Sequence, residues 1–96
     1  MRRMERSEPI RDYTISPHAE FVMHRRGLDE ETIRRILERP EQRRMVRPGR
    51  EMLQSRLELE GRIYLVRVFV DSDRVPPEVV TAYRTSKIEK YWRDEA

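Results

Sequence analysis

The sequence predicts a single α+β domain in which helices pack on an antiparallel sheet of about four strands. Helix-type patterns occupy residues 16–39, and strand-type patterns occupy residues 43–83. Elements grouped in two blocks favour α+β over an alternating α/β order. Short turns, Pro48-Gly49 and Glu60-Gly61, separate the first three strands and therefore predict antiparallel pairing.

Two helices are predicted in the first block. Ser16 is a good N-cap and Pro17 suits the first helical position, while Gly27 is a typical residue just after a helix end. Asp29 caps the second helix, whose apolar residues recur at helical spacing, and Pro40 closes it. The two helices are expected to form a compact pair.

The second block contains the predicted sheet and the last helix. The predicted strands span residues 43–47, 51–59, 62–70 and 79–83. Ser86, with Glu89 three residues later, has the spacing of a capping box, which predicts a final helix over residues 86–93.

The two ends of the predicted domain differ in character. Residues 1–12 are charged and lack periodicity, so they are predicted to form a flexible lead-in, and residues 13–96 form the domain. A short strand is predicted near residues 12–15.

Composition limits the function classes. The 96 residues include 21 lysines and arginines, 18 acids and no cysteine, for a net charge of +3. Neither an apolar run of membrane-spanning length nor a signal-peptide core is present, so a cytoplasmic protein without a membrane partner is expected. The arginine excess suggests an anionic partner. A merely solvated surface explains it equally well.

The strand at 79–83 leads into a polar cluster. Alternation directs Val80 and Ala82 to the core, and Thr81 and Tyr83 to the opposite face. Lys87 follows close by. The two hydroxyls could position a phosphate or donate to it, although both residues are also ordinary strand formers.

His18 is the candidate acid or base. It occupies the second helical position, where the positive end of the helix dipole favours a neutral ring. A neutral histidine there is suited to general base catalysis. The alternative is a histidine that supports the helix start or packs on a neighbour. His24, deeper in the same helix, is expected to have a structural or surface role.

The arginines divide into two groups. Arg43, Arg44, Arg47 and Arg50 form a basic run, which is either a solvated sheet edge or a track for a phosphate backbone.

Arg56 and Arg67 lie inside predicted strands. Each is expected to pair with an acid such as Glu51 or Glu58, or to point at a ligand. Tyr91 and Trp92 are interpreted as packing residues, with base stacking as the alternative.

No zinc-binding helix motif, phosphate-binding glycine loop or nucleophile elbow occurs, and no metal or other cofactor is expected. The histidine, arginine, threonine and tyrosine candidates suit metal-independent acid–base chemistry on a phosphodiester.

Three segments together resemble a bacterial family of domains of unknown function grouped with the RelE-, ParE- and BrnT-like toxins of toxin–antitoxin systems. They are residues 15–19 (ISPHA), 26–28 (RGL) and 79–83 (VVTAY). The resemblance covers about residues 13–92. It implies a RelE- or barnase-like α+β fold, a metal-independent ribonuclease activity on RNA, and a cognate antitoxin as partner.

The resemblance also implies a site. It assigns catalytic roles to His18, Arg56, Thr81 and Tyr83 and a phosphate-binding role to Arg26. Further substrate-binding candidates are Arg43, Arg44, Arg47 and Lys87. The chain lacks the lysine cluster of RelE, which argues against ribosome-dependent cleavage.

Three hypotheses follow: an RNA-cleaving toxin-like protein, a non-catalytic RNA- or protein-binding module on the same fold, and a protein that acts only within a protein complex.

Overall fold

The computed structural model describes residues 8–92 and has the predicted α+β class, with three helices and a five-stranded mixed sheet. In chain order the elements are β1 (Thr14–Ile15), α1 (Pro17–Arg25), α2 (Glu30–Glu38), β2 (Gln42–Arg47), β3 (Arg50–Leu59), β4 (Arg62–Asp71), β5 (Glu78–Thr85) and α3 (Ile88–Tyr91).

The sheet has the strand order β1-β5-β4-β3-β2. The four long strands pair antiparallel, as predicted, because short turns or a loop bring each back along its neighbour. The prediction of a wholly antiparallel sheet is wrong at one edge, where β1 pairs parallel to β5. The two strands are far apart in the chain, so no hairpin imposes an antiparallel direction.

The core lies between the sheet and the helices α1 and α2. Ile33, Ile36 and Leu37 of α2 are at most 1% exposed. They belong to the same buried cluster as Leu53 of β3 and Val68 of β4. We call the sheet surface that carries these core residues the helical face.

Side chains alternate along each strand, so a second set lies on the opposite surface. We call this surface the Arg67 face. It carries Met52, Gln54 and Arg56 of β3, Leu65, Arg67 and Phe69 of β4, and Thr81, Tyr83 and Thr85 of β5.

The described part of the predicted lead-in takes part in the fold. Ile10 is 8% exposed and belongs to the core cluster. Its backbone N–H donates to the carbonyl of Leu37 at 3.0 Å, which ties residues 8–12 to α2. Residues 1–7 of the same prediction lie outside the described residues.

A bulge changes the predicted pattern of β5. The register shifts by one residue between the pairs Phe69–Thr81 and Val70–Val79, so Val80 is the additional residue. Val79 and Ala82 are therefore the fully buried members of this strand, and the prediction that Val80 faces the core is wrong.

The helix starts differ in how well they follow the sequence. The Ser16 hydroxyl accepts the N–H of Ala19 at 3.0 Å, as predicted for a cap. The predicted cap at Ser86 is wrong, because α3 begins only at Ile88. The Lys87 N–H instead donates to the Thr85 hydroxyl at 3.0 Å. Arg93, the predicted end of this helix, lies outside the described residues.

The two serines provide a matched stability test. Replacing Ser16 by alanine leaves the Ala19 N–H without its side-chain acceptor, and should lower the free energy of unfolding by about 1 kcal/mol. Ser86→Ala removes no cap and should change it by less than about 0.5 kcal/mol. Urea denaturation of both variants measures the difference. Equal losses would contradict the assignment of Ser16 as the cap.

Candidate functional site

A row of four polar side chains crosses the Arg67 face. Gln42, Gln54, Arg67 and Tyr83 occupy paired positions on β2, β3, β4 and β5. Gln54 Nε2 donates to Gln42 Oε1 at 2.7 Å, and Arg67 Nε donates to Gln54 Oε1 at 2.8 Å. Arg67 Nη1 donates to the Tyr83 hydroxyl oxygen at 2.7 Å. One chain of hydrogen bonds therefore joins four strands.

Gln54 orients the arginine. Its side chain is fully buried, and burial of an amide without partners is costly. The bonds to Gln42 and Arg67 use an amide N–H and the amide oxygen. These bonds hold the Arg67 guanidinium in one direction, toward Tyr83.

Arg67 itself is half-buried and surrounded by aromatic rings. Its Cζ lies 4.7 Å from the ring centroid of Tyr91 and 5.7 Å from those of Phe69 and Tyr83. Within residues 8–92 it forms no ion pair, so the predicted partners Glu51 and Glu58 do not neutralise it. Three of its five N–H groups have no hydrogen-bond partner among these residues. Among residues 8–92, hydrogen bonds therefore fix the orientation of the guanidinium, and no carboxylate neutralises its charge.

Tyr83 is the second centre of the site. Its ring stacks on Phe69 with centroids 6.2 Å apart and meets Tyr91 edge-on at 6.3 Å. Arg26, just after α1, lies with its Cζ 6.0 Å from the same ring. Arg26 Nη1 also donates to the carbonyl of Ala82 at 2.8 Å. Two predicted site residues, Arg26 and Tyr83, are therefore brought together.

Arg56 lies on the same face but has an acidic partner that was not predicted. It pairs with Glu41, which lies just before β2, at 3.1 Å, and not with Glu51 or Glu58. Glu51 instead pairs with Arg43. The Arg56 Cζ lies 4.0 Å from the Trp92 ring centroid. Hydrogen bonding from Arg56 lowers the pKa of the Glu41 carboxyl.

His18 is placed apart from this group. It is an exposed residue of α1, which packs against β5 on the helical face. Tyr83 and Thr81 lie on the opposite face. Thr81 is half-buried beside Phe69 in the register, two residues from Tyr83. The predicted juxtaposition of His18 with the two strand hydroxyls is therefore not among the contacts of the described residues.

The remaining predicted cations are dispersed. Arg43 is held in a 2.7 Å ion pair with Glu51. Arg44, Arg47 and Lys87 are exposed and form no ion pair with a described residue. None of the three contacts the row of polar side chains through a described hydrogen bond.

Sequence reasoning missed Gln42 and Gln54 as members of the site. Their residue types carry no charge and match no motif. A signal for Gln54 existed in the Glu60-Gly61 turn, because a tight turn there pairs Gln54 with Arg67.

No family model, curated protein or solved structure matches the chain. Among residues 8–92 no helix has the length and apolar character needed to cross a membrane. The same part of the chain contains no group of three or more histidines and acids arranged to hold a metal ion.

A double-mutant cycle tests the bond between Gln54 and Arg67. Arg67→Leu leaves the buried Gln54 oxygen unsatisfied and should cost about 1–3 kcal/mol of the free energy of unfolding. Gln54→Leu with Arg67→Leu should cost less than the sum of the single changes by about 0.5–3 kcal/mol. Urea denaturation measures all three variants.

The matched control cycle combines Gln54→Leu with Arg62→Leu at the exposed start of β4. These positions share no contact, so their costs should add within about 0.5 kcal/mol. Additivity in the Gln54 and Arg67 cycle as well would contradict the proposed orienting role.

The Arg56–Glu41 pair predicts a pH dependence. The folded-state pKa of Glu41 lies below its ordinary value of 4.5, so its stabilising contribution is present above that pH and is lost as the pH falls through the folded pKa. Arg56→Gln removes the guanidinium, the main cause of this shift, while the backbone N–H at position 56 remains a donor to Glu41. The difference in unfolding free energy between wild type and Arg56→Gln should therefore shrink below pH 4.5.

Denaturant titrations across this pH range measure that difference. The control Arg62→Gln changes an exposed arginine that has no ion pair with a described residue, and its difference from wild type should stay constant. A pH-independent difference for Arg56→Gln would show that Arg56 acts only through its contact with Trp92.

Proposed function

We propose that the Arg67 face binds single-stranded RNA, with Arg67 at a phosphate and Tyr83 and Tyr91 available for base stacking. One observation carries this proposal: within residues 8–92, the half-buried Arg67 guanidinium has aromatic neighbours and hydrogen-bond acceptors but no carboxylate. A guanidinium that served only the sheet would be expected to pair with an acid, as Arg56 does.

The chemistry of single-stranded RNA matches this surface. Proteins that bind single strands combine cations for the backbone with aromatic rings for the bases. Arg67 offers free N–H groups for a phosphate, and planar guanidinium groups can bind phosphate oxygens in pairs. Arg26, whose Cζ lies 6.0 Å from the Tyr83 ring centroid, adds a second positive charge beside Arg67, whereas the charge of Arg56 is balanced by Glu41. RNA is favoured over a neutral ligand for this reason.

Binding to labelled oligouridine tests the proposal. Arg67→Gln should weaken binding about tenfold or more, because a hydrogen bond to a charged group contributes about 1.5–3 kcal/mol. It should also reduce the slope of log affinity against log salt by about 0.7, the value of one single-strand phosphate contact. Fluorescence anisotropy over a salt series measures both quantities.

Arg34→Gln is the matched control, because it removes the same charge from an exposed position on α2. Its affinity should remain close to that of wild type. Equal loss in both variants would indicate binding by net charge alone, and unchanged binding by Arg67→Gln would contradict the site.

The second candidate function is metal-independent cleavage of the bound RNA. The specific observation is the Tyr83 hydroxyl, 2.7 Å from Arg67 Nη1. In this reaction the 2′-oxygen attacks phosphorus, the bond to the 5′-oxygen breaks and a cyclic phosphate forms. Arg67 would stabilise the developing negative charge, and Tyr83 would donate its proton to the leaving oxygen while solvent takes the 2′-hydroxyl proton.

This second candidate includes the classification suggested by the sequence. A RelE- or barnase-like cytoplasmic toxin with a cognate antitoxin would use such a reaction, and the resemblance in residues 15–19, 26–28 and 79–83 supports it. In this proposal Tyr83 takes the acid–base role, because His18 makes no contact with Arg67 or Tyr83 among the described residues.

Incubation with RNA in EDTA distinguishes the two candidates. Cleavage that Tyr83→Phe abolishes, with RNA binding retained, would support catalysis on the Arg67 face. His18→Ala should leave that cleavage unchanged, and its loss in this variant would restore the histidine as the catalytic group. Binding without cleavage by the folded wild type would leave the non-catalytic RNA-binding module.

A further inference from the structure

The outer strand β2 offers a second surface at its outer edge, and only its first residue, Gln42, belongs to the row of polar side chains. β2 is the last strand of the sheet and pairs only with β3 among residues 8–92. An outer strand presents backbone N–H and C=O groups on its free side, where another strand can pair. Met45 is 51% exposed and Val46 is 45% exposed, which is unusual for apolar strand residues. Residues 43–47 therefore combine an edge that no strand of the described range pairs with and exposed apolar side chains.

The charge of β2 selects the kind of partner. Arg44 and Arg47 are exposed and form no ion pair with any residue in the described range. The nearby acids are already engaged, since Glu51 pairs with Arg43 and Glu41 pairs with Arg56. Arg44 and Arg47 are therefore the cations beside Met45 and Val46 that have no carboxylate partner among residues 8–92.

A cleft beside β2 provides room for a partner's side chains. Its volume is about 640 Å³, and it lies between the end of α2 and β2. Pro40, Arg44 and Met45 line it, together with three acids that are each paired with an arginine: Glu38, Glu41 and Glu51. An apolar side chain can contact Pro40 and Met45 there, while an acidic neighbour reaches Arg44.

We propose that β2 is a docking site for an extended acidic segment of another protein, which adds to the sheet as a sixth strand and places carboxylates beside Arg44 and Arg47. Strand addition of this kind obtains affinity from main-chain hydrogen bonds and specificity from alternate side chains.

A second copy of this chain fits less well. Pairing of β2 with another β2 would bring together two strands of sequence QRRMVR, each with three arginines and no acid. Like charges opposite one another destabilise strand pairing. RNA also fits less well, because β2 contains no aromatic side chain for base stacking. The charge pattern therefore prevents self-pairing while it favours an acidic partner.

The test uses a defined probe, a synthetic peptide of alternating glutamate and valine, with a lysine–valine peptide of equal length as control. Backbone amide NMR signals and amide hydrogen exchange are followed in the full chain. The glutamate–valine peptide should shift the signals of residues 42–47 and slow their exchange, and the lysine–valine peptide should do neither.

Paired variants locate the effect. Arg44→Glu with Arg47→Glu should weaken peptide binding at least about tenfold through loss of charge complementarity. Arg25→Glu with Arg62→Glu makes the same charge change at exposed positions outside β2 and should bind as wild type. If the first pair fails to fold, the glutamine substitutions at the same positions replace it.

The outcomes are separable from those of RNA binding. Arg67→Gln should lose oligouridine and retain the peptide, so either proposal can fail alone. The docking proposal is overturned if the glutamate–valine peptide does not bind, or if its shifts lie outside residues 42–47. It is also overturned by equal binding of the lysine–valine peptide, by sedimentation showing that β2 forms a dimer, or by oligouridine displacing the peptide from β2.

Discussion

The interaction on which the second face of the sheet depends is the hydrogen bond from Arg67 to Gln54. A guanidinium in the middle of a sheet loses part of its hydration, and charge without compensation in such a place is costly. Here the compensation comes from one amide oxygen, one phenol oxygen and three aromatic rings. The amide oxygen comes from Gln54 on β3 and the phenol oxygen from Tyr83 on β5, the two residues paired with Arg67 in the register. A slip of one residue in β3 would turn Gln54 to the helical face and leave the guanidinium without its acceptor.

The two faces of the sheet therefore differ in the kind of side chain that they carry. The helical face is closed by α1 and α2 and contains the aliphatic cluster around Ile33 and Leu53, which supplies the burial that stabilises the fold. The Arg67 face is polar and aromatic, and the short α3 contributes Tyr91 to it. Arg67 lies on this face and is not a member of the buried core cluster, and among residues 8–92 it has no carboxylate partner.

The predictability of the site depended on local pairing rules. The turn at Glu60-Gly61 is tight and regular, so the pairing of Gln54 with Arg67 follows from counting outward along both strands. The same residue counting along the strands does not give the correct partners of the other two members of the row, Gln42 and Tyr83. A bulge at Val46 shifts the register of Gln42 by one residue, and a bulge at Val80 does the same for Tyr83. Bulges leave little trace in a single sequence.

Other predictions failed where a competing contact was more favourable. The helices α1 and α2 followed their caps, because Ser16 and Asp29 each found the expected N–H group. Ser86 does not cap α3, because the helix begins two residues later, at Ile88, and the Thr85 hydroxyl accepts the N–H of Lys87 just before it. The partner of Arg56 was unpredictable for a different reason. Glu41 precedes β2 and reaches Arg56 only after the sheet has formed, whereas Glu58 is close in sequence but makes no such contact.

Position 54 holds a neutral glutamine where an acid could have paired with Arg67. Glutamate has nearly the same shape as glutamine and would accept the same bond from Arg67 while neutralising it. The chain has 18 acidic residues, and one of them, Glu41, pairs with the neighbouring Arg56. An acid paired with an arginine on this face is therefore already present in the structure. Glutamine accepts the Arg67 bond without neutralising the guanidinium, and it also donates an amide N–H to Gln42, which glutamate could not do. The choice of glutamine at position 54 thus links the orientation of Arg67 to the hydrogen-bonded row across β2, β3, β4 and β5, with the Arg67 Nη1 bond directed at the Tyr83 hydroxyl.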